Sequence, residues 1–184
     1  MSVTRYTATA IGLHWLMFLL IAWGFSIGLS MVDLPLSPAK LKYFSWHKWI
    51  GVTVFLLAVV RIAWRLTHPA PPLPATMPSW QRKARHLSHL LLYALIVVVP
   101  LSGWVYSSAA GVPTVYLGVL QLPDLLAPDK ALAAQLKFVH YLLNTTLAAI
   151  VFVHGAAALK HQFIDKDGLL ARMWPAWRTR KESA

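Results

Sequence analysis

Four histidines of this 184-residue chain, His14, His47, His140 and His154, lie inside long apolar stretches that hold no aspartate or glutamate. An ionisable side chain in such surroundings is costly, and it ordinarily marks a functional site. A neutral imidazole can ligate a metal, pass a proton or hydrogen-bond between helices. Spacing narrows the choice. On a helix, the 14 residues from His140 to His154 rise about 21 Å and fall about 40° short of four turns. The two rings therefore share one face at opposite ends of a membrane-length segment. His161 lies seven residues further on and extends that face. His86 and His89 are one turn apart, at i and i+3. His68 falls in a proline-rich stretch and reads as incidental.

The elements that must position these groups are apolar and long. The chain is 58% hydrophobic and 12% charged, with mean hydropathy +0.56. Soluble domains carry about 25% charged residues, so a soluble globular or disordered chain is excluded. Apolar runs cover about 8–29, 46–66, 87–107 and 138–159. Each has about 20 residues, enough to cross a hydrocarbon core of about 30 Å, and must be helical to satisfy its backbone in lipid. Continuous runs rule out the alternating strands of a membrane barrel. The expected fold is an all-α, integral membrane four-helix bundle running up-down-up-down, one domain over 1–184. The first run is too long for a cleaved leader, contains His14 and lacks a small-residue cleavage site. Pro35 and Pro38 mark the first connection, and "THPAPPLPATMPSWQRKAR" forms a stiff proline strap in the second. The third connection holds Pro113, Pro123 and Pro128, and Asp129 can cap a helix beginning near Lys130.

The net charge is +11, but the basic residues flank the apolar runs, which argues for membrane topology and anionic lipid rather than nucleic acid. Of the 17 lysines and arginines, Lys40, Lys42, Lys48, Lys130 and Lys137 fall on one side. The other twelve share the opposite side with both termini: Arg5, Arg61, Arg65, Arg82, Lys83, Arg85, Lys160, Lys166, Arg172, Arg178, Arg180 and Lys181. The positive-inside rule makes the termini cytoplasmic, with the tail 160–184 along the inner surface.

Matching depths pairs the histidines. His14 and His154 are inner, and His47 and His140 are outer. Two such pairs in a four-helix bundle suit two stacked bis-histidine haems, whose filled axial positions favour electron transfer over oxygen binding. Gly12, Gly51 and Gly155 would let a flat macrocycle approach the backbone, and nearby Arg or Lys could pair with propionates. Absence of cysteine removes disulfides, thiolate zinc sites, iron–sulfur clusters, cysteine nucleophiles and covalent haem attachment together. Absence of carboxylates from the spans disfavours a di-iron site or a metal transporter. His86, His89 and His161 could line an inner polar pocket for a quinone head group, with His donating protons. His89 could instead replace one of the inner haem ligands.

These residues resemble the bacterial cytochrome b561 family, of the four-helix di-haem, superoxide oxidase-like type. The resemblance covers essentially the whole chain. It is carried by "HGAAALKHQFIDKDGLLARMWP" from His154 to Pro175, "LHW" at 13–15, "RIAWRL" at 61–66 before the strap, and "HLSHLLLY" at 86–93. One departure is Val139, where related sequences tend to place Trp before the histidine. The resemblance implies a bacterial inner-membrane protein with two haem b, His14 and His154 on the inner iron and His47 and His140 on the outer. It implies His89 and His161 at a ubiquinone pocket, and superoxide giving electrons on the periplasmic side. Lys48 and Lys137 lie beside the outer ligands, and a positive mouth there would steer an anion; snorkelling interfacial lysines would look the same. The alternative within this reading is a cytochrome b anchor or relay subunit for a separate dehydrogenase or hydrogenase, with a soluble redox partner. A haem-free transporter or assembly factor is the reading from another class.

Overall fold

The computed structural model describes residues 5–74 and 77–175. Its four helices are α1 (Ala8–Val32), α2 (Pro38–Thr67), α3 (Ser79–Ala109) and α4 (Lys130–Lys160). All four are long and apolar enough to cross a membrane. They pack chiefly as sequential neighbours, α1 on α2, α2 on α3 and α3 on α4, which makes the up-down-up-down bundle.

Caps and prolines, rather than hydropathy, set the helix ends. Thr7 caps α1, its hydroxyl accepting from the Ala10 amide (3.2 Å). Ser37 caps α2 in the same way, with Pro38 in the first turn where its missing N–H costs nothing. The helix therefore starts well before the apolar run at 46, and the first connection shrinks to residues 33–37. Helix α3 likewise begins at Ser79, directly after Pro78, so the end of the expected strap is helical. Asp129 caps α4 as expected, accepting from the Ala131 and Leu132 amides at 2.9 and 3.0 Å.

The third connection holds a small antiparallel hairpin that the all-α expectation did not include. Strands β1 (Val115–Tyr116) and β2 (Leu120–Gln121) pair Val115 with Gln121 and Tyr116 with Leu120. Leu117 and Gly118 turn the chain with positive φ, 52° and 76°.

The buried core runs through Met17, Ile27, Ile50, Val54, Ala58, Leu95, Ile96 and Val99, with Leu147 the one α4 residue among the described members. Helix α4 joins this core through Leu147, with Leu143, Ile150 and Val151 packed against it, and it packs most extensively on α3.

At the end of the bundle that carries the termini, α4 runs into a π-helical turn, His161–Asp165. Lys166 and Gly168 then adopt positive φ, 53° and 73°, and reverse the chain into a short 3₁₀ turn at Leu170–Met173. That turn docks beneath α1. The Trp15 indole donates to the Met173 carbonyl (2.8 Å), the Tyr6 amide donates to the Arg172 carbonyl (3.3 Å), and Arg172 donates to Pro72 of the strap (2.6 Å). The expected surface tail follows this path to Pro175; Arg178, Arg180 and Lys181 lie outside the described residues.

Candidate functional site

The histidines form two layers across the bundle. In the layer toward the α3–α4 connection, His47 of α2 faces His140 of α4. Their ring centroids are 6.2 Å apart and the rings are nearly perpendicular, at 89°. In the layer toward the termini, His14 of α1 faces His154 of α4 at 6.3 Å and 68°. His89 of α3 also approaches His154, at 5.3 Å and 84°.

These separations can be compared with what an iron would need. Two imidazoles trans on one metal, with metal–nitrogen bonds of about 2 Å, place their ring centroids about 6.3 Å apart. Both the His47–His140 and His14–His154 pairs meet that figure. At 5.3 Å, His89 and His154 leave less room between their rings than either of those pairs. Of the two partners available to His154, His14 leaves the wider gap, in which a metal-centred group would be held.

Hydrogen bonds set the tautomers. His47 Nδ1–H donates to the Gly24 carbonyl (2.9 Å), so the Nε2 lone pair is free. Ser102 has one hydroxyl proton, and it goes to the Val99 carbonyl (2.7 Å). Toward His140 Nδ1, at 2.8 Å, Ser102 Oγ must then accept, which again leaves Nε2 free. His89 Nδ1–H donates to Arg85 one turn earlier (2.7 Å). His14 differs. Arg61 is a donor only, so at 3.1 Å it gives a proton to His14 Nδ1, and Nε2 carries the ring hydrogen.

Close backbone approach occurs at glycines the sequence reading passed over. A Cβ on Gly28 would lie 3.1 Å from His47 Cε1, and one on Gly103 would lie 2.9 Å from His140 Cε1. Gly12, Gly51 and Gly155, singled out from sequence, would meet nothing within 4 Å. A spacing signal was present. Each helix carries a 14-residue pair: His14 and Gly28, His47 and Arg61, His89 and Gly103, His140 and His154. Each helix thus contributes one residue to each layer.

Beside the layer near the termini is a cavity of about 110 Å³. Its walls include Tyr6, Arg61, Arg65, Arg85, His68, His86 and His89. Among the described residues, one terminal nitrogen on each of Arg61 and Arg65 is buried without a hydrogen-bond partner, and no aspartate or glutamate lines the cavity. Such a site selects an anion or a carbonyl-rich ligand. His86 and His89 come together here as the sequence suggested. His68, read as incidental, also lines this cavity and stacks on Trp64 at 3.9 Å. His161 does not line it. Its Nδ1 instead meets Asp167 at 2.6 Å and Asp165 at 3.1 Å, within the π-helical reversal.

At the opposite end, Lys48 Nζ donates to the Val112 and Pro113 carbonyls (3.0 and 3.2 Å) and ties down the α3–α4 connection. Lys137 is exposed, three residues before His140.

A four-helix membrane bundle agrees with the family that the sequence matches. The prokaryotic cytochrome b561 family matches residues 5–176. The chain belongs to that family. It is 35% identical over 177 residues to Cytochrome b561 homolog 2 of Escherichia coli (strain K12), covering 92% of this chain and 90% of that protein. It is 32% identical over 181 residues to Probable superoxide oxidase CybB of Yersinia pestis, covering 95% and 98%. Cytochrome b561 homolog 1 of E. coli is 28% identical over 174 residues, covering 94% and 98%. Membership makes this a bacterial membrane protein of electron transfer, an oxidoreductase that uses b-type haem.

Proposed function

We propose that this chain is a single-domain, di-haem b oxidoreductase of the bacterial inner membrane, moving electrons from superoxide on the periplasmic side to ubiquinone. The observation that carries the reading is the pair of histidine couples with ring centroids 6.2 and 6.3 Å apart, each of which would hold one haem between its imidazoles. When bound, each haem supplies a one-electron carrier within the apolar bundle.

The chain's own residues do the rest. His47 and His140 would hold one group, oriented by Gly24 and Ser102, and His14 and His154 would hold the other. Ligation through His14 Nε2 requires the ring proton on Nδ1, so Arg61 must turn away from that nitrogen. Its guanidinium is then available to a propionate, as is the unpartnered nitrogen of Arg65. His89, beside His154 and in the wall of the arginine-lined cavity, offers a donor to a quinone carbonyl there. His161 is assigned to proton supply at the same end, held by Asp167. Lys137 and Lys48 give the other end a positive charge that favours an anionic donor. The basic residues around the termini favour the cytoplasmic side for them. Superoxide as donor is supported by likeness to Probable superoxide oxidase CybB along 98% of that protein's length.

The test is haem quantified per chain on the purified protein, followed by ubiquinone reduction with a superoxide-generating system. About two b-type haems per chain and superoxide-dependent ubiquinol formation are expected. One haem, or ubiquinone reduction only with a co-purifying dehydrogenase, would overturn the reading.

A further inference from the structure

The α3–α4 connection does not project away from the bundle. It folds back alongside α2. The Trp49 indole donates to the Val115 carbonyl (2.7 Å), and the Tyr116 hydroxyl meets Thr53 Oγ1 (3.0 Å). Gly118, at the hairpin turn, faces the Trp49 ring, its Cβ position 3.9 Å from the indole. Helix α2 begins at Pro38, so these contacts lie roughly 16–22 Å along it, at 1.5 Å per residue. Thr53 is about 9 Å deeper than His47, itself inside the apolar run. The hairpin therefore reaches to the depth of the nearer histidine layer.

The surface it covers faces outward. Trp49, Thr53, Leu56 and Val60 follow one another at i, i+4, i+7 and i+11, a single stripe of α2. Leu56 and Val60 are exposed, apolar and in the middle of a membrane-length helix, so this stripe faces lipid below the hairpin. The hairpin continues the same surface. Its side chains Leu117, Val119 and Leu120 are exposed, Val119 at 85%, and no charged residue occurs from Gly111 to Pro123.

Its backbone is also prepared for a dry setting. In lipid, every peptide group needs a protein partner. β1 and β2 pair with each other, the Val119 amide donates to Tyr116 (3.1 Å), and the Leu122 amide donates to Thr114 (2.9 Å). Lys48 takes the Val112 and Pro113 carbonyls, and Trp49 takes that of Val115.

We infer that residues 114–122 form a re-entrant hairpin seated in the leaflet opposite the termini, with Leu117, Val119 and Leu120 against lipid acyl chains. The hairpin is thereby a membrane-anchored cover over the outward stripe of α2 that carries Trp49 and Thr53, on the side turned away from His47. This inference needs only the membrane-spanning bundle, not the proposed donor or acceptor.

The chain has no cysteine, so single-cysteine variants label at one place. Val119→Cys would carry an environment-sensitive fluorophore in the haem-loaded protein, reconstituted in phosphatidylcholine–phosphatidylglycerol vesicles. Phe152→Cys, on the exposed apolar face of α4, and Asp124→Cys, just past the hairpin, are the references. Quenching by nitroxide-bearing lipid is divided by quenching by aqueous iodide, a ratio that cancels energy loss to haem. The Val119 ratio should fall within about twofold of Phe152 and at least about fivefold above Asp124. A ratio like that of Asp124 would mean the hairpin stands in water and would overturn the inference. Protection from both quenchers would mean that a second copy or another protein covers it, which overturns it equally. Leu117→Cys repeats the measurement on the other strand's side should labelled Val119→Cys lose its haem.

Discussion

Gly103→Ala provides the sharpest test of the histidine layers. A Cβ there would sit 2.9 Å from His140 Cε1, 3.4 Å from Nδ1 and 3.5 Å from Nε2. Ordinary contact begins near 3.4 Å, so the ring must retreat by about half an ångström. Metal–ligand distances tolerate about ±0.2 Å, and this displacement exceeds that. The effect on folding is much smaller. Alanine gains about 0.8–1 kcal/mol over glycine in a helix interior, against an overpacking cost of about 1–3 kcal/mol. The variant should therefore fold and insert, yet lose the haem held by His140. Haem per purified chain should drop from about two to about one, and the redox titration should lose one of its two components. Gly28→Ala pushes on His47 from 3.1 Å, a gentler contact at the same haem, so the double variant should still retain the second haem. Two haems per chain with unchanged difference bands in Gly103→Ala would refute His140 as a ligand at this place.

Further outcomes follow from the same geometry. His154→Ala should lose the haem nearer the termini and abolish ubiquinone reduction, while His89→Ala should keep both haems and change the reaction at the quinone; loss of a haem in His89→Ala would reverse the assignment of His14 and His89. Ser102→Ala removes the hydroxyl that accepts from His140 Nδ1–H and should weaken haem affinity about 10- to 100-fold, read from haem transfer to an apo-globin. Arg65→Gln removes a buried positive charge and should lower the midpoint potential of the haem nearer the termini, leaving the other unmoved; a potentiometric titration that shifts both or neither would count against the placement. Asp129→Ala removes two amide acceptances at the start of α4 and should cost about 0.5–2 kcal/mol, seen as a lower thermal midpoint with unchanged haem content.

Much of the site was legible because helical periodicity converts sequence spacing into direction and depth. The 14-residue interval from His140 to His154 places two rings on one face of α4 without reference to any neighbour. The same interval in α1, α2 and α3 pointed to Gly28, Arg61 and Gly103, but only histidine drew attention as a chemical residue. Glycine carries no signal of its own until a ring is known to press against it. The arginine-lined cavity was legible in part. His86 and His89 share a wall, whereas His161 turns toward Asp165 and Asp167 because the helix changes pitch at that point. No local propensity in "HQFIDKDG" announces a π-turn.

By itself the sequence determined what depends on composition, periodicity and charge. Those are four spans, their alternating direction, the cap at Asp129, and two depths of histidine. Burial in lipid leaves the backbone no choice but helix, so these properties need no tertiary information. Which histidines face each other, and at what distance, depended on how the helices pack. So did the approach of both His14 and His89 to His154, the tautomers set by Ser102 and Gly24, and the grouping of Arg61 and Arg65 around one cavity. The hairpin at 115–121 is of the same kind. Its two-residue strands are too short to be read from pattern, and they exist because α2 offers Trp49 and Thr53 as partners.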